Sequence, residues 1–267
     1  MLDTFSVVVT GTGKGIGRAI AEHLTAQGWI VIGIERSRGS GSRETGACHD
    51  IILGDTSDRE VHQRAGRLAQ ESAPLKGWVN NAGITKRTPL HGVDESVVRE
   101  IVNTNGFGYL WGSAAALDAF LDQEIAGSIV NIGSIHGRVS FPDFAAYEFT
   151  KGGIDALSRS IAVSYGAVGI RANTLALGAV RTPHLENFIR SAPDPQQLEA
   201  SLTGGSPMRR FATAEEAAKA TAFLLSDDSS YLSGESIALD GGWTASSGVG
   251  ELDERIRERL FRGKEGS

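Results

Sequence analysis

Phe5-Ser-Val-Val-Val-Thr-Gly-Thr-Gly-Lys-Gly-Ile-Gly17 begins as an apolar run and ends in a glycine-rich turn. Phe5–Val9 is nearly continuous in apolar character rather than alternating, the pattern of a strand covered on both faces. Helical sequence follows Gly17 directly. Gly11, Gly15 and Gly17 are spaced G-x-x-x-G-x-G, with Lys14 and Ile16 between them, and so depart from the commoner G-x-G-x-x-G fingerprint. Between a strand and a helix N-terminus, such a turn lets backbone amides and the helix dipole meet a pyrophosphate. Taken alone, the stretch fits either a dinucleotide cradle or a purely structural turn.

The same alternation continues down the chain. Ile30–Ile34, Ile51–Leu53, Gly77–Val79, Ser128–Ile132, Arg171–Leu175 and Ser236–Leu239 read as further buried strands. Helical stretches separate them. Ser57-Asp-Arg-Glu60 and Thr213-Ala-Glu-Glu216 both have the spacing of a capping box. About seven strands with intervening helices imply a single doubly wound parallel α/β sheet with helices on both faces. Residues 1–246 are expected to form one unit. Within it, 183–211 carries Pro183, Pro193, Pro195, Gly204, Gly205 and Pro207, too many breakers for one long helix, and reads as a flap over a ligand site or a plain surface excursion. In the tail, 247–267, Leu252, Ile256 and Leu260 recur every four residues, as in a short amphipathic helix.

Composition narrows the function. With 267 residues and 40% apolar content the chain can bury a full core. A net charge of −6 without a basic block argues against a nucleic-acid surface. One cysteine, Cys48, rules out an internal disulfide framework, and the six histidines lack zinc-binding spacing, so no metal is expected. No leader pattern and no membrane-length apolar run is evident, which makes a cytoplasmic protein the expectation.

Two sets of polar residues mark the chemistry. Glu35 ends the second strand 18 residues beyond Gly17, placed to accept hydrogen bonds from adenosine ribose hydroxyls or to stand solvated at a strand end. Arg36 is next to it. Farther along come Asn80-Asn-Ala-Gly83, Ser134 and Tyr147-Glu-Phe-Thr-Lys151. Tyr147 and Lys151, four apart, share one helical face. A free tyrosine titrates near pH 10, and a neighbouring ammonium draws it toward the working range. Tyr-x-x-x-Lys alone is common on helices; its meaning comes from the residues around it.

Taken together, these residues resemble the short-chain dehydrogenase/reductase family, in its branch of about 250 residues, over roughly residues 4–245. The resemblance rests on Thr10–Gly17, Asp55, Asn80–Gly83, Asn105, Ser134 lying 13 residues before Tyr147, Lys151, Thr182 and Leu239-Asp-Gly-Gly242. It implies a Rossmann-type fold and an NAD(P)-dependent oxidoreductase acting on a secondary alcohol or ketone. Tyr147 would exchange a proton with the substrate oxygen and Ser134 would hydrogen-bond that oxygen. Lys151 would hold the nicotinamide ribose and lower the Tyr147 pKa. Asn105, rather than Asn103, would hold a water linking Lys151 to solvent. Asp55 would meet the adenine, Asn81 the ribose region and Thr182 the carboxamide, with Ala82, Gly83 and Val180 also along the cofactor. Leu177-Gly178 stands where the family usually has Pro-Gly.

The resemblance also sets expectations beyond the catalytic set. A homotetramer is expected, with the helices at 94–121 and 147–168 as contact faces and the tail adding to one of them. NAD is favoured by Glu35, whereas Lys14 and Arg36 flank the same corner and suit NADP. His136, two residues past Ser134, lies with Lys86, Arg87 and Arg138 near the same loops, which would suit a hydroxy or keto acid. Solvated surface charges and a shape-giving histidine are the alternative. Rival functions are a non-catalytic nucleotide-sensing or scaffold protein on the same fold and an epimerase or dehydratase that recycles its cofactor.

Overall fold

In a computed structural model, residues 4–37, 46–247, 253–256 and 259 are described. Seven strands, β1 (Ser6–Thr10), β2 (Ile30–Glu35), β3 (Asp50–Leu53), β4 (Leu75–Asn80), β5 (Ser128–Ser134), β6 (Arg171–Leu177) and β7 (Ser236–Leu239), form one sheet. Its order is β3-β2-β1-β4-β5-β6-β7, and all neighbours are parallel. The order reverses between β1 and β4, so the carboxyl ends of these strands flank the crevice where doubly wound sheets bind ligands.

Alternation along each strand feeds two cores. Val7 and Val9 of β1 face α1 (Gly15–Ala26) and α8 (Ala214–Leu225), in a core shared with Leu24, Ala217 and Ala218. Val8 faces the other way, against α2 (Arg59–Ser72), α4 (Gly108–Asp122) and α5 (Ala145–Tyr165), with Trp78, Ala65, Phe120 and Ile161. Helices on both sides explain the unbroken apolar runs in the sequence.

Local signals set most helix ends. Thr213 and Glu216 form the expected capping box at α8. The box expected at Ser57 does not form: Asp58 caps α2 by accepting from the Glu60 amide. Asp55 is the cause, since its Oδ1 accepts from the Ser57 amide at 2.8 Å and turns the chain one residue further before the helix starts. The stretch expected as one helix from residue 94 is broken in three, with α3 (Glu95–Ile101), a π-helical turn (Val102–Phe107) and α4. The flap segment folds as two short helices, α6 (Pro183–Arg190) and α7 (Pro195–Gly204), each with proline in its first turn, where the missing N–H is harmless. Its base is pinched by Arg181 N to Ala212 O, 2.8 Å, and Ala212 N to Ala179 O, 3.0 Å. The Leu252 and Leu260 positions of the expected tail stripe lie outside the described residues; Ile256 is exposed.

Candidate active site

The glycine-rich turn leaves β1 with Gly11 at φ 75° and Gly15 at φ 59°, conformations that favour glycine. Gly17 is there for space: a Cβ would sit 2.2 Å from Gly11 O and 2.4 Å from Asn81 Nδ2. Lys14 occupies the N-cap of α1 without a side-chain capping bond, and the first turn holds no acidic residue. The helix N-terminus is therefore chemically suited to an anion. Glu35, only 6% exposed, accepts from Thr12 Oγ1 at 2.9 Å. Thr12 had no part in the sequence reading, and only the folded turn brings it under β2. Nearby, burial pushes the Cys48 thiol up to about 11.

Asn81 braces this turn. Its side-chain amide donates to Thr10 O at 2.8 Å and Gly11 O at 3.4 Å, while the Asn81 and Ala82 amides both donate to Thr10 Oγ1 at 2.8 Å. The Asn81 side chain is thus engaged with the β1 turn rather than extended along a ribose. Asp55 and Arg36 are exposed, beyond the ends of β3 and β2. Thr182 caps α6 through the Leu185 amide at 3.2 Å, and Val180 lies buried at the base of the flap.

Ser134, Tyr147 and Lys151 meet at the end of β5. Lys151 Nζ donates to Ile132 O at 2.8 Å and lies over the Tyr147 ring, 5.6 Å from its centroid. Burial pulls the Lys151 ammonium down to about 8, and Asp155 acts against that pull. Desolvation raises the Tyr147 phenol above its ordinary value, opposed by hydrogen bonding with Ser134 and Thr85. Without a bound cofactor, removal of water outweighs those hydrogen bonds at the Tyr147 phenol. Tyr109 was missed by the sequence reading. It is buried, its hydroxyl donates to Ile132 O at 2.8 Å, and it lies 3.5 Å from Lys151 Nζ. Its position one turn past Asn105 was the available signal. Asn105, buried in the π-helical turn, accepts from Ile84 N and donates to Ile84 O, both at 2.9 Å, and approaches Thr150 Oγ1 at 3.4 Å. Its side chain therefore pins the Asn80–Ile84 loop to the catalytic helix.

One cavity of 540 Å³ joins the two ends. Ile16, Asn81, Gly83, Val180 and Thr182 line its cofactor side; Ser134, Tyr147 and Lys151 line the reacting side. Facing them is an apolar wall of Phe141, Phe144, Leu185, Phe188, Leu202 and Trp243. Sequence alone did not reveal this wall, because its members come from three distant segments.

His136 also lines the cavity. The chain leaves β5 at Ser134, whose hydroxyl caps a 3-10 turn, Ile135–Gly137. His136 Nδ1 is 3.2 Å from Val139 O and 3.6 Å from Glu148 Oε1, and its ring meets Tyr147 edge-on at 6.2 Å. Burial lowers its pKa, so it is neutral at neutral pH. The three cations expected beside it are occupied: Lys86 with Glu100, Arg87 with Asp143, and Arg138 with Ser236 O at 2.9 Å and Asp155 at 3.8 Å. An anion at the mouth would have to compete with carboxylates already there.

Comparison with known proteins agrees with this geometry. A family model described as enoyl-(acyl carrier protein) reductase matches residues 11–244. The chain is 34% identical over 252 residues to the 3beta-hydroxysteroid dehydrogenase 1 of Eggerthella lenta, covering 91% of this chain and 95% of that protein. It is also 34% identical to the cis-4-hydroxycyclohexanecarboxylate dehydrogenase of Sinomonas cyclohexanicum, over 89% and 96% of the two chains. The crystal structure of levodione reductase superposes with a TM-score of 0.85 at 30% identity, over 91% of this chain and 98% of that one. Nothing in these names supports a non-catalytic scaffold.

Proposed function

The chain belongs to the short-chain dehydrogenase/reductase family, and we propose that it interconverts a ring-borne secondary alcohol and its ketone within a largely apolar pocket, using NAD(H). Its class is that of a nicotinamide-dependent oxidoreductase acting on CH–OH groups. The observation that carries the finer reading is the cavity itself. Ser134 and Tyr147 form a hydroxyl pair beside Lys151, with Thr85 also bonded to the Tyr147 phenol, and six aromatic or aliphatic side chains face them. Such a site holds a hydrocarbon frame and orients one oxygen. Two of the relatives described above are named for a hydroxysteroid and for cis-4-hydroxycyclohexanecarboxylate, both ring alcohols and the second also an acid, which accords with that frame. Neutral ketones are favoured over keto acids because Lys86, Arg87 and Arg138 are already paired.

A bound nicotinamide supplies or takes the hydride. On the protein side, Tyr147 gives its phenolic proton to the ketone oxygen in reduction and regains it from the alcohol in oxidation. The desolvated phenol favours the protonated form and hence the donor role. Ser134 hydrogen-bonds the same oxygen and fixes its place, a contact most useful as charge builds there. Lys151 would hold the nicotinamide ribose hydroxyls as an ammonium, and Asn105 would hold a water that links Lys151 to solvent. Lys14 and the Gly11–Gly17 turn take the pyrophosphate, Asp55 the adenine, and Val180 and Thr182 the carboxamide edge.

Glu35 supports the choice of NAD(H). Held by Thr12, its carboxylate stands where a 2′-phosphate would arrive. Two such charges about 4 Å apart at an effective dielectric near 20 repel by roughly 4 kcal/mol. Arg36 and Lys14 are near enough to soften that figure, so the expected preference is at least tenfold for NADH in kcat/KM, and a tenfold preference for NADPH would reverse the assignment. Residues 1–246 act as one catalytic unit, with 183–211 as its flap. The assembly is a homotetramer in the cytoplasm. Phe149 and Val163 on α5, 74% and 87% exposed, support association through that face. A monomeric mass by light scattering at micromolar concentration would count against it. A panel of cyclic ketones and keto acids, read at 340 nm, tests the substrate class; faster turnover of the acids than of their neutral esters would overturn it.

A further inference from the structure

One helical turn beyond Lys151, α5 carries a buried carboxylate. Asp155 is 6% exposed, its Oδ1 has no hydrogen-bond partner, and its Oδ2 stands 3.8 Å from Arg138 Nε. Residues four apart on a helix share a face, so Tyr147, Lys151 and Asp155 form a row of phenol, ammonium and carboxylate. Arg138 belongs to the turn that carries Ser134 and His136, and it also donates to Ser236 O of β7 at 2.9 Å. Between them Gly137 is pressed against α5: a Cβ there would come to 3.1 Å from Lys151 O and 3.2 Å from Asp155 Oδ2. The Arg138–Asp155 pair therefore crosses the seam between the Ser134 turn and the helix of Tyr147 and Lys151.

A purely stabilising pair accounts poorly for this arrangement. A buried carboxylate oxygen without a partner is costly, and the one ion-pair contact is long. Among the described residues the charged and titratable groups around Lys151 are few. Tyr147 and Asp155 lie on its own helix, Tyr109 comes from α4 and His136, on the Ser134 turn, meets the Tyr147 ring in the same cavity, while Arg138 reaches Lys151 only through Asp155. β5 contributes the neutral carbonyl of Ile132. Asp155 is the one carboxylate among them, and it opposes the desolvation that strips the Lys151 proton.

We propose that Asp155 and Arg138 act as positioning residues that together set the charge on Lys151: Asp155 holds the ammonium protonated, and Arg138 tempers that hold by sharing the carboxylate. The effect on turnover rests on the reading of Lys151 given under Proposed function; the effect on Lys151 itself does not. Because the two partners carry opposite charges, their removal must act in opposite directions.

The test is a carbon-13 NMR titration of the Lys151 side chain in the apoprotein, assigned by the signal lost in Lys151→Met. Asp155→Asn should move its midpoint down by about one pH unit, as expected for removing a charge one turn away. Arg138→Gln, at a half-exposed site that tolerates change, should move it up by roughly half as much, since solvent screens the guanidinium. The alkaline limb of kcat/KM for ketone reduction should follow both shifts. Midpoints that stay put, or that move the same way in both variants, overturn the proposal. Midpoints that move as stated while the kinetic limb stays fixed support the charge network and instead refute the role given to Lys151 in turnover.

Discussion

The helix that carries the chemistry and the flap that covers it are built on opposite terms. Along α5, Ala146, Thr150, Lys151, Ile154, Asp155, Ser158 and Ile161 are buried, and two polar members of the row, Lys151 and Ser158, are bonded to the sheet. Ser158 bridges Asn131 at 2.9 Å and Thr174 at 2.8 Å, and Asn131 in turn meets Asn80 at 2.9 Å, so one buried polar ladder links β4, β5, β6 and α5. In the flap, α6 buries only Ile189 and α7 buries nothing. Elements with few buried contacts open at low free-energy cost. The reacting groups thus sit on rigid scaffold, while much of the apolar wall that selects the substrate hangs on a lightly held cover.

Tyr147→Phe cuts deepest into the rigid side. It keeps the ring and deletes the exchangeable proton, so kcat should fall by about 10²-fold or more, the usual worth of a general acid. Cofactor affinity, read by fluorescence quenching, should hardly change. Activity above a few per cent would remove Tyr147 from the centre of the mechanism.

Lys151→Met separates chemistry from stability. Turnover should drop at least tenfold, yet the melting temperature at pH 7 should be no lower than that of wild type. The sign follows from linkage. Lys151 falls from its ordinary 10.5 to about 8 in the fold, so between those values the unfolded chain binds more protons. Burying the ammonium therefore costs stability below pH 8, and the cost fades as pH rises toward 10.5. Ile132 O keeps its Tyr109 bond in the variant. A melting temperature several degrees lower at pH 7 would mean that Lys151 is a net structural support.

On the cover, Leu202→Ala should leave the melting temperature within about 1 °C, as expected of a side chain outside the two main cores. The same change should alter kcat/KM for bulky ketones by roughly 3- to 10-fold, in the range of lost pocket methylenes. A large loss of stability would mean that the flap is as firmly built as α5. Smallest of all, Thr213→Ala removes the capping box at α8, and its side chain does not line the cavity. It should cost about 1 kcal/mol of stability by denaturant titration and leave kinetics untouched.

The rigid side was also the legible side. Strand positions came through because helices on both faces demand continuous apolar runs, and Val7, Val8 and Val9 could serve either core. The Tyr147–Lys151 pair was readable because one helical turn fixes it locally, whereas the 13-residue spacing back to Ser134 came from the family resemblance. The π-helical turn at Val102–Phe107 was not, since no 3.6-residue pattern announces an extra residue. Ser57 looked like a cap until Asp55 turned the chain beneath it. The cavity wall was illegible for another reason. Trp243 reaches the flap by packing on Gly205, where a Cβ would lie 2.5 Å from its ring, and such pairing depends on the whole fold.

The brace at Asn81 has a consequence for how fast and how tightly the cofactor arrives. Four hydrogen bonds already tie Asn81 and Ala82 to Thr10 and Gly11 in the free protein. Ordering a loop on binding costs about 0.5–1.5 kcal/mol for each immobilised side chain. Here that entropy is surrendered during folding, once per protein lifetime instead of once per catalytic cycle. The enzyme can exchange spent for fresh cofactor against a surface that does not have to reassemble itself between turnovers.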